Sequence, residues 1–274
     1  MNKLKGVQGF EDYYSHLYGE RWQSLKHALQ QEPRYTEWMP KNEKIAEQKP
    51  YFLDAGSVFV GYTLPLTGAK HILDMCAAPG GKSLILAHRM AGNAQLLCNE
   101  RSASRRNRLS SVLKNHLDED TRLRIHIGAK DGALMCLRET ENFDAILLDA
   151  PCSSERHVLG DKKYLNEWTS ARIKHLAIHQ WALLSSAFRL LKNDGYLVYC
   201  TCALSPHEND DVIKRLLKKF DTVQLQTIDT KAIHTQCSRE LPDCEKTEYG
   251  YRILPDVQNG AGPLYFSLIK KGNR

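Results

Sequence analysis

From about residue 51 onward, short apolar segments typical of β-strands alternate with longer segments of helical period. Strands are predicted at about 71–76, 95–99, 123–127, 143–148, 195–200 and 264–270, and helices at about 82–90, 102–117, 170–191 and 209–219. Strands that alternate with helices form a parallel, doubly wound α/β sheet with right-handed crossovers. The strand at 264–270 follows a long irregular stretch rather than a helix, so we expect it to be antiparallel and at or near the sheet edge.

An amphipathic N-terminal segment precedes this region. Between about residues 9 and 29, large apolar side chains recur close to every 3.6 positions, which predicts a helix. The following residues contain Pro33, Pro40 and Pro50 and a charged run at 41–44, which is typical of a linker. We therefore divide the chain into a helical extension with its linker at 1–50 and a main domain at 51–274.

The composition is that of a globular protein without a membrane span. The 274 residues are 42% hydrophobic and 26% charged, and no apolar run approaches the roughly 18–20 residues that cross a bilayer. The first residues have no secretory or organelle-targeting pattern, so we expect a cytoplasmic protein. Its eight cysteines are then expected to be reduced, and without a C-x-x-C pair no metal site is predicted. The net charge of +6 permits a polyanionic partner without requiring one.

Three segments with chemically active side chains follow directly on predicted strands. They are residues 74–82, residues 149–152 with Asp149 and Cys152, and residues 201–202 with Cys202. Residues just past the carboxyl ends of strands line the ligand crevice of an open α/β sheet. The sequence therefore predicts one pocket that holds two thiols and a carboxylate. We interpret Cys200 as a core residue of the strand itself.

The first of these segments is a strand–loop–helix turn of small residues. The candidate ligand-binding residues in it are Cys76, Ala77, Ala78, Pro79, Gly80, Gly81 and Lys82. Small residues let a backbone approach a ligand closely, and the helix that follows offers free N–H groups. The dinucleotide pattern G-x-G-x-x-G is absent. Gly81-Lys82-Ser83 matches the end of the nucleoside-triphosphate pattern G-x-x-x-x-G-K-[ST], but Cys76 occupies its first position, so a P-loop-like nucleotide hydrolase remains an alternative.

S-adenosylmethionine, which needs no phosphate cradle, is the third cofactor that such a turn can hold. Glu100 closes the second strand, where a carboxylate can accept hydrogen bonds from both ribose hydroxyls of an adenosine. Asp131 follows the third strand, where it can accept a hydrogen bond from the adenine amino group. Acids at successive strand ends therefore favour S-adenosylmethionine as the cofactor.

These segments resemble three motifs of the NOP/Sun family of RNA cytosine-5 methyltransferases. The resemblance extends from about Tyr51 to Lys271 and includes the pentapeptides at 51–55 and 262–266. The Glu-Arg-His at 155–157 and the Gly-Pro-Leu-Tyr-Phe at 262–266 resemble most the branch that contains the mitochondrial ribosomal-RNA enzyme. Ser154 stands where many members have glycine.

The resemblance implies an enzyme with the Rossmann-like class I methyltransferase fold, that is, a mostly parallel seven-stranded sheet with one late antiparallel strand. It implies S-adenosylmethionine as cofactor and RNA, foremost ribosomal RNA, as substrate. Cys202 would be the nucleophile that adds to carbon 6 of cytosine, and Cys152 would assist product release. Asp149, also a cofactor-binding candidate, would hold the cytosine N3/N4 edge. Lys82 would help to lower the pKa of the attacking thiol.

Two basic clusters are candidates for contact with RNA. Arg156, His157, Lys162 and Lys163 follow the first cysteine motif and are predicted to bind RNA. Arg101, Arg105, Arg106 and Arg108 crowd one helix start, where RNA contact and a solvated helix face are equal alternatives. We expect a monomer without membrane contact, with a partner protein as a possible means of RNA delivery. A non-catalytic RNA-binding module, and a DNA cytosine methyltransferase with Cys152 as its sole nucleophile, are the remaining alternatives.

Overall fold

The computed structural model describes residues 4–38, 50–237 and 239–273. Within these ranges the α-helices are α1 (Gly6–Tyr18), α2 (Trp22–Gln30), α3 (Ala55–Thr63), α4 (Gly81–Arg89), α5 (Ala103–His116), α6 (Glu119–Arg122), α7 (Glu155–Gly160), α8 (Lys162–Asn166), α9 (Ser170–Leu190), α10 (Asp210–Lys219) and α11 (Thr230–Cys237). The strands are β1 (Tyr35–Trp38), β2 (Tyr51–Asp54), β3 (His71–Asp74), β4 (Gln95–Asn99), β5 (Ile125–Gly128), β6 (Phe143–Asp149), β7 (Leu191–Thr201), β8 (Val223–Leu225), β9 (Glu245–Lys246), β10 (Tyr251–Ile253) and β11 (Leu264–Lys271). Pro40 and the charged run at 41–44 of the predicted linker lie outside the described residues.

The main sheet has the strand order β5-β4-β3-β6-β7-β11. The first five of these strands are parallel, whereas β11 runs antiparallel to β7, with Phe266 opposite Cys200. On its other side, β11 pairs with two different strands. Its carboxyl end pairs with β8, and its amino end pairs with β10, which in turn pairs with β9. The strands from β5 through β11 to β8 form the predicted seven-stranded sheet with one late antiparallel strand, and β9 and β10 extend it.

Helices cover both faces of this sheet. On one face α3, α4 and α5 pack in a core that includes Phe59, Ile85 and Leu109. On the other face α9 and α10 contribute Phe188 and Ile213 to a second core. Parallel strands that are buried on both faces have nearly continuous apolar sequences, which is why the sequence located them. The arrangement brings the carboxyl ends of five strands to one edge, where the polar segments begin.

The N-terminal extension forms two helices rather than the single helix predicted. α1 ends at Gly19, whose φ of +55° suits a glycine, and a 3₁₀ turn at Gly19–Arg21 leads into α2. Phe10 and Trp22 pack with Trp168 in a third apolar cluster that also contains Leu204. The extension therefore contacts the chain just beyond both cysteine motifs. The division of the chain at about residue 50 stays a prediction.

Among the described residues, none of the helices combines the length and the apolar character that a membrane crossing requires.

Candidate active site

The two cysteines of the strand-end motifs lie side by side. Cys152 follows β6 and Cys202 follows β7, and because these strands are parallel neighbours, the two Sγ atoms are only 2.8 Å apart. Both are free thiols and are partly exposed. The contact with Cys202, followed by burial, raises the pKa of Cys152 well above its ordinary value. Cys152 therefore keeps its proton and can donate it to the sulfur of Cys202. Cys200 is fully buried within β7, which confirms its interpretation as a core residue.

A buried cation lies beside the thiols. Lys82 Nζ donates to Asp149 Oδ2 at 2.7 Å and to Ser57 Oγ at 3.0 Å. Burial lowers the pKa of Lys82, but Asp149 and the sulfur atoms of Cys200 and Cys202 raise it by more, so its pKa lies above the ordinary lysine value. Lys82 is therefore a fixed positive charge that faces Asp149 and the sulfur atoms.

The conformation of the turn at 74–82 depends on a glycine within it and on a hydrogen bond from an arginine of α5. Gly80 has a φ of +117°, and a Cβ atom there would approach Val112 Cγ1 to 3.0 Å. Arg105 Nη2 donates to the carbonyl of Ala78 at 2.7 Å. Ser83, the serine of the P-loop-like pattern, is buried and donates to Asp74 Oδ2 at 2.6 Å. Its hydroxyl thus points into the core and is not available to a nucleotide-bound metal, which argues against the P-loop alternative.

Two cavities meet at this turn. The larger, of about 350 Å³, is lined by residues that follow β3, β4, β5 and β6, with Glu100, Asp131 and Pro151 among them. The smaller, of about 110 Å³, is lined by Tyr51, Ser57, Lys82 and Asp149. Cys76 lines both cavities, so the predicted adenosine end and the predicted reaction end of the site adjoin. The larger volume lies at the lower end of the range of small-molecule pockets, roughly 300–1,000 Å³.

The two acids predicted to hold adenosine both lie in the larger cavity, each paired with an arginine. Glu100 is 5% exposed; its Oε2 lies 3.2 Å from Arg105 Nη1, and its Oε1 accepts a hydrogen bond from the Ser102 amide. Asp131 Oδ2 lies 3.0 Å from Arg101 Nη1. Arg101 and Arg105 thus pair with acids of the predicted cofactor site. These ion pairs account for the position of two of the four arginines in the cluster at the start of α5.

An unpaired buried atom tests whether these residues suit S-adenosylmethionine. Asp74 is 1% exposed, and its Oδ1 has no hydrogen-bond partner within the described residues. Burial raises the pKa of Asp74 to about 7, although Ser83 and Lys82 oppose that shift. Because Asp74 lines the smaller cavity, a cationic donor such as the amino group of the cofactor's methionine would satisfy this atom. The cavities, the acids at the strand ends and this acceptor together fit S-adenosylmethionine.

The structure gives Arg156 a different role from the one predicted. Its guanidinium donates to the carbonyls of Ala28, Leu29 and Gln31 at the end of α2 and to those of Gly260 and Gly262 before β11. These five acceptors occupy the side chain in the packing of the fold, so Arg156 is not free to contact RNA. The prediction of RNA contact is corrected for this residue.

The other predicted RNA-binding residues lie on the surface. His157, Lys162 and Lys163 are exposed at the start of α7 and α8, and the His157 ring packs on Tyr164 with centroids 4.8 Å apart. Exposed lysines beside an exposed aromatic ring have the character of a single-stranded nucleic-acid surface.

The structure adds site residues that the sequence analysis did not single out. Ser57 lies in the first turn of α3, where the Asp54 side chain accepts hydrogen bonds from the Gly56 and Ser57 amides. An aspartate directly before an apolar run is an N-cap signal, so this helix start could have been recognised. His179 lines the larger cavity from α9. The residue types and spacing around it carried no signal.

The mostly parallel sheet with its late antiparallel strand is the Rossmann-like fold of class I methyltransferases. A family described as "16S rRNA methyltransferase RsmB/F" matches residues 61–270. The chain belongs to this family, which confirms the resemblance found in the sequence. At the level of the family, the predictions of a methyltransferase and of S-adenosylmethionine as its cofactor are also confirmed.

Two curated relatives and one solved structure illustrate the similarity. The mitochondrial tRNA (cytosine(34)-C(5))-methyltransferase of Mus musculus is 33% identical over 82% of this chain and 64% of its own length. The 5-cytosine rRNA methyltransferase NSUN4 of Bos taurus is 29% identical over 79% of this chain and 58% of its own. A methyltransferase homologue from Pyrococcus horikoshii shares the fold, with a TM-score of 0.70, 22% identity, and coverage of 96% of this chain and 94% of that one. The chain thus spans about three fifths of the length of the curated relatives named here.

Proposed function

We propose that this chain methylates carbon 5 of cytosine in RNA, with ribosomal RNA as the foremost substrate. The observation that carries the proposal is the 2.8 Å contact between two free thiols beside the Lys82–Asp149 ion pair. A mechanism with one nucleophilic and one releasing thiol needs both sulfur atoms within reach of one base. Family membership and the names of the RNA methyltransferases among the relatives support the same reaction.

Cys202 begins the reaction in this proposal. Its thiolate forms a bond to carbon 6 of cytosine, and the electron pair displaced from the C5–C6 bond makes carbon 5 nucleophilic. Lys82 stabilises the negative charge of the sulfur, and the Cys152 S–H donates a hydrogen bond to it. Asp149 accepts a hydrogen bond from the cytosine amino group and fixes the base against the thiol. When bound, S-adenosylmethionine supplies an electrophilic methyl group to carbon 5.

Cys152 completes the cycle. A base removes the proton from carbon 5, the C5–H electron pair restores the C5–C6 double bond, and the Cys202 sulfur leaves with the C6–S pair. Cys152 assists this step because its sulfur lies against that of Cys202. A stacked base cannot reach these sulfurs, so the target is a single-stranded or flipped-out cytosine. The reaction needs both thiols reduced, which is why a cytosolic location remains part of the proposal. Action as a monomer and delivery of the RNA by a partner protein also remain proposals.

Bisulfite sequencing of total RNA from cells with and without this gene tests the proposal. We expect one or a few protected cytosines that disappear with the gene and return with the wild-type chain but not with a Cys202→Ala variant. A protected cytosine in the small-subunit ribosomal RNA would establish ribosomal RNA as the substrate. A protected cytosine in tRNA would instead identify tRNA as the substrate and leave the reaction unchanged. An unchanged RNA pattern, together with cytosine methylation of DNA by the purified chain, would contradict the proposal.

The surface with His157, Lys162 and Lys163 is proposed to bind the RNA backbone. Replacing both lysines by alanine is expected to reduce the slope of log affinity against log salt by about two, since each lost phosphate contact removes roughly one unit. Filter binding at several salt concentrations measures this slope. The control replaces Lys218 and Lys219, exposed at the end of α10 and near the opposite edge of the sheet. Equal slopes for the two double variants would show that the first surface is only solvated.

A further inference from the structure

Two glutamates are buried directly behind the pair of catalytic thiols. Glu155 and Glu208 are both 0% exposed. Each contacts the hydroxyl of Ser153, the residue after Cys152; the distance from Ser153 Oγ to Glu208 Oε2 is 2.5 Å. A buried acid pair is costly unless its atoms are hydrogen-bonded and its charge is reduced.

The proton count of this cluster leaves one acid neutral. A serine hydroxyl has a single proton and can donate to only one of the two carboxyl groups. Glu155 also accepts from the Tyr14 hydroxyl and, at 3.0 Å, from the Leu204 amide, so both of its carboxyl oxygens face hydrogen-bond donors. Glu208 Oε1 accepts two N–H bonds, from Ser153 and Gln180, each at 2.9 Å, whereas the Ser153 hydroxyl is the one partner of its Oε2 within the described residues. The arrangement is satisfied when Glu208 Oε2 is protonated and donates to Ser153 Oγ, which donates to Glu155.

The surroundings favour this single proton. Burial first, and then the charge of Glu155, raise the pKa of Glu208 to about 7. Among the described residues, the titratable groups that interact with the two glutamates are Tyr13, Tyr14 and Tyr18 of α1, Tyr199 of β7, and Cys152. All of these are neutral or anionic side chains. The basic side chains next to the two acids in the chain have other partners: Arg156 donates to backbone carbonyls, and His207 pairs with Asp211.

The cluster connects the two loops that carry the thiols. Glu208 binds the Ser153 amide next to Cys152, while Glu155 binds the Leu204 amide two residues after Cys202. Gln180 joins Glu208 to the carbonyl of Pro151 at 2.9 Å. The Tyr14 hydroxyl adds the N-terminal extension to the same network. The separation of the two sulfur atoms therefore depends on contacts that the shared proton makes possible.

We propose that Glu208, Ser153 and Glu155 form a proton-sharing bridge that positions Cys152 against Cys202, with the proton on Glu208. Glu208 and Glu155 are positioning residues, because they act on the thiols through the backbone. Loss of the proton leaves two carboxylates facing one hydroxyl, and their repulsion loosens the link between the loops. The bridge is thus intact below the pKa of Glu208 and weakens as the pH rises through it.

Isosteric variants distinguish the two acids. Glu208→Gln keeps a carbonyl oxygen for the two N–H donors and supplies an N–H to Ser153 Oγ, so it mimics the protonated acid. Glu155→Gln replaces an acceptor oxygen by an NH₂ group that faces hydroxyl or amide donors. The structure therefore assigns unequal effects to two chemically identical substitutions, whereas a merely buried pair would respond to both alike.

Infrared spectroscopy in D₂O tests the proton without any reference to activity. At about pH 6 the wild-type minus Glu208→Gln difference spectrum should contain the band of a protonated carboxyl group, which should titrate away near pH 7. Asp74, the other buried acid whose pKa is raised to about 7, serves as the matched control through Asp74→Asn. Ser153→Ala keeps both acids and should shift the Glu208 band. A difference spectrum without a carboxyl band would overturn the proposal.

The kinetic test rests on the proposed function, whereas the infrared test does not. Failure of the proposed function can therefore be distinguished from failure of the proton-sharing bridge. Glu208→Gln should keep kcat within about threefold of wild type near pH 6.5 and lose the decline in kcat above about pH 7. Glu155→Gln should lower kcat by roughly 10- to 100-fold, as expected when a buried polar group loses its partner. Equal losses in the two variants, or a decline that persists in Glu208→Gln, would also overturn the proposal.

Discussion

Cys202→Ala is expected to abolish methyl transfer and to form no covalent complex with RNA. In the proposed mechanism Cys202 makes the bond to carbon 6, and without that bond carbon 5 stays a poor nucleophile. Loss of a covalent nucleophile lowers kcat by roughly 10⁴- to 10⁶-fold. Transfer of labelled methyl groups to RNA measures the first effect, and denaturing electrophoresis measures the second.

Cys152→Ala is expected to have the opposite effect on the covalent complex. Cys152 acts after methyl transfer, so its removal should leave the methylated cytosine bound to Cys202. The complex should then survive denaturation and carry one transferred methyl group. The 2.8 Å contact between the sulfurs supports this prediction, because it places the releasing thiol against the bond that must break.

Two further variants make the assignment of the two thiols exclusive. The double substitution of Cys152 and Cys202 should give no complex, because the nucleophile is absent. Cys244→Ala, which removes another partly exposed free thiol, should behave as wild type. A complex that persists without Cys202 and disappears without Cys152 would reverse the roles and favour the mechanism of DNA cytosine methyltransferases.

The sequence located the centre of the site because strand ends are encoded locally. The six strands and four helices predicted for the main domain are present, with ends that differ by at most four residues. Parallel strands bring their carboxyl ends together, so Asp149, Cys152 and Cys202 could be assigned to one pocket without knowing any contact. The order of the strands then decided which segments adjoin, and the two thiols follow neighbouring strands.

The residues that the sequence analysis misjudged are those whose partners are distant in the chain. Arg156 has the composition of an RNA-binding residue, but its acceptors come from 28–31 and from 260–262. Glu155 and Glu208 were not singled out in the sequence, and their contacts with Tyr14 of α1 and Gln180 of α9 come from distant parts of the chain. A local pattern contains no information about such contacts.

The break between α1 and α2 is a different kind of error, because its signal was present. Gly19 lies within the apolar periodicity, and a glycine inside a helical pattern lowers the confidence in a continuous helix. The periodicity continues through the break, since Trp22 and Leu25 pack in the same cluster as Phe10. Continuity of an apolar face therefore does not establish continuity of the helix.

Lys82→Met is expected to lower methyl transfer by roughly 10²- to 10³-fold, the scale for loss of one fixed electrostatic donor in an active site. It should also lower the free energy of unfolding by about 2 kcal/mol, because Asp149 loses its partner. This loss is smaller than the roughly 3–5 kcal/mol expected for a fully buried pair, because the Asp149 side chain is 35% exposed to solvent. Methyl-transfer kinetics and urea unfolding measure the two effects.

A second lysine–aspartate pair provides the control. Lys192 Nζ lies 2.8 Å from Asp144 Oδ1, and Asp144 belongs to β6, the strand that also carries Asp149. This pair is at the opposite end of the strand, and its lysine side chain is 37% exposed against 11% for Lys82. Lys192→Met should therefore change the free energy of unfolding by less than about 1 kcal/mol and leave methyl transfer unchanged.

The double variant Lys82→Met/Asp149→Asn separates the structural effect from the chemical one. It contains no unpaired carboxylate, so its free energy of unfolding should return to within about 1 kcal/mol of wild type. Methyl transfer should not return, because the positive charge beside Cys202 has not been restored. Recovery of activity together with stability would mean that the ion pair only supports the fold. Recovery of stability alone means that the fold holds this ion pair for the reaction.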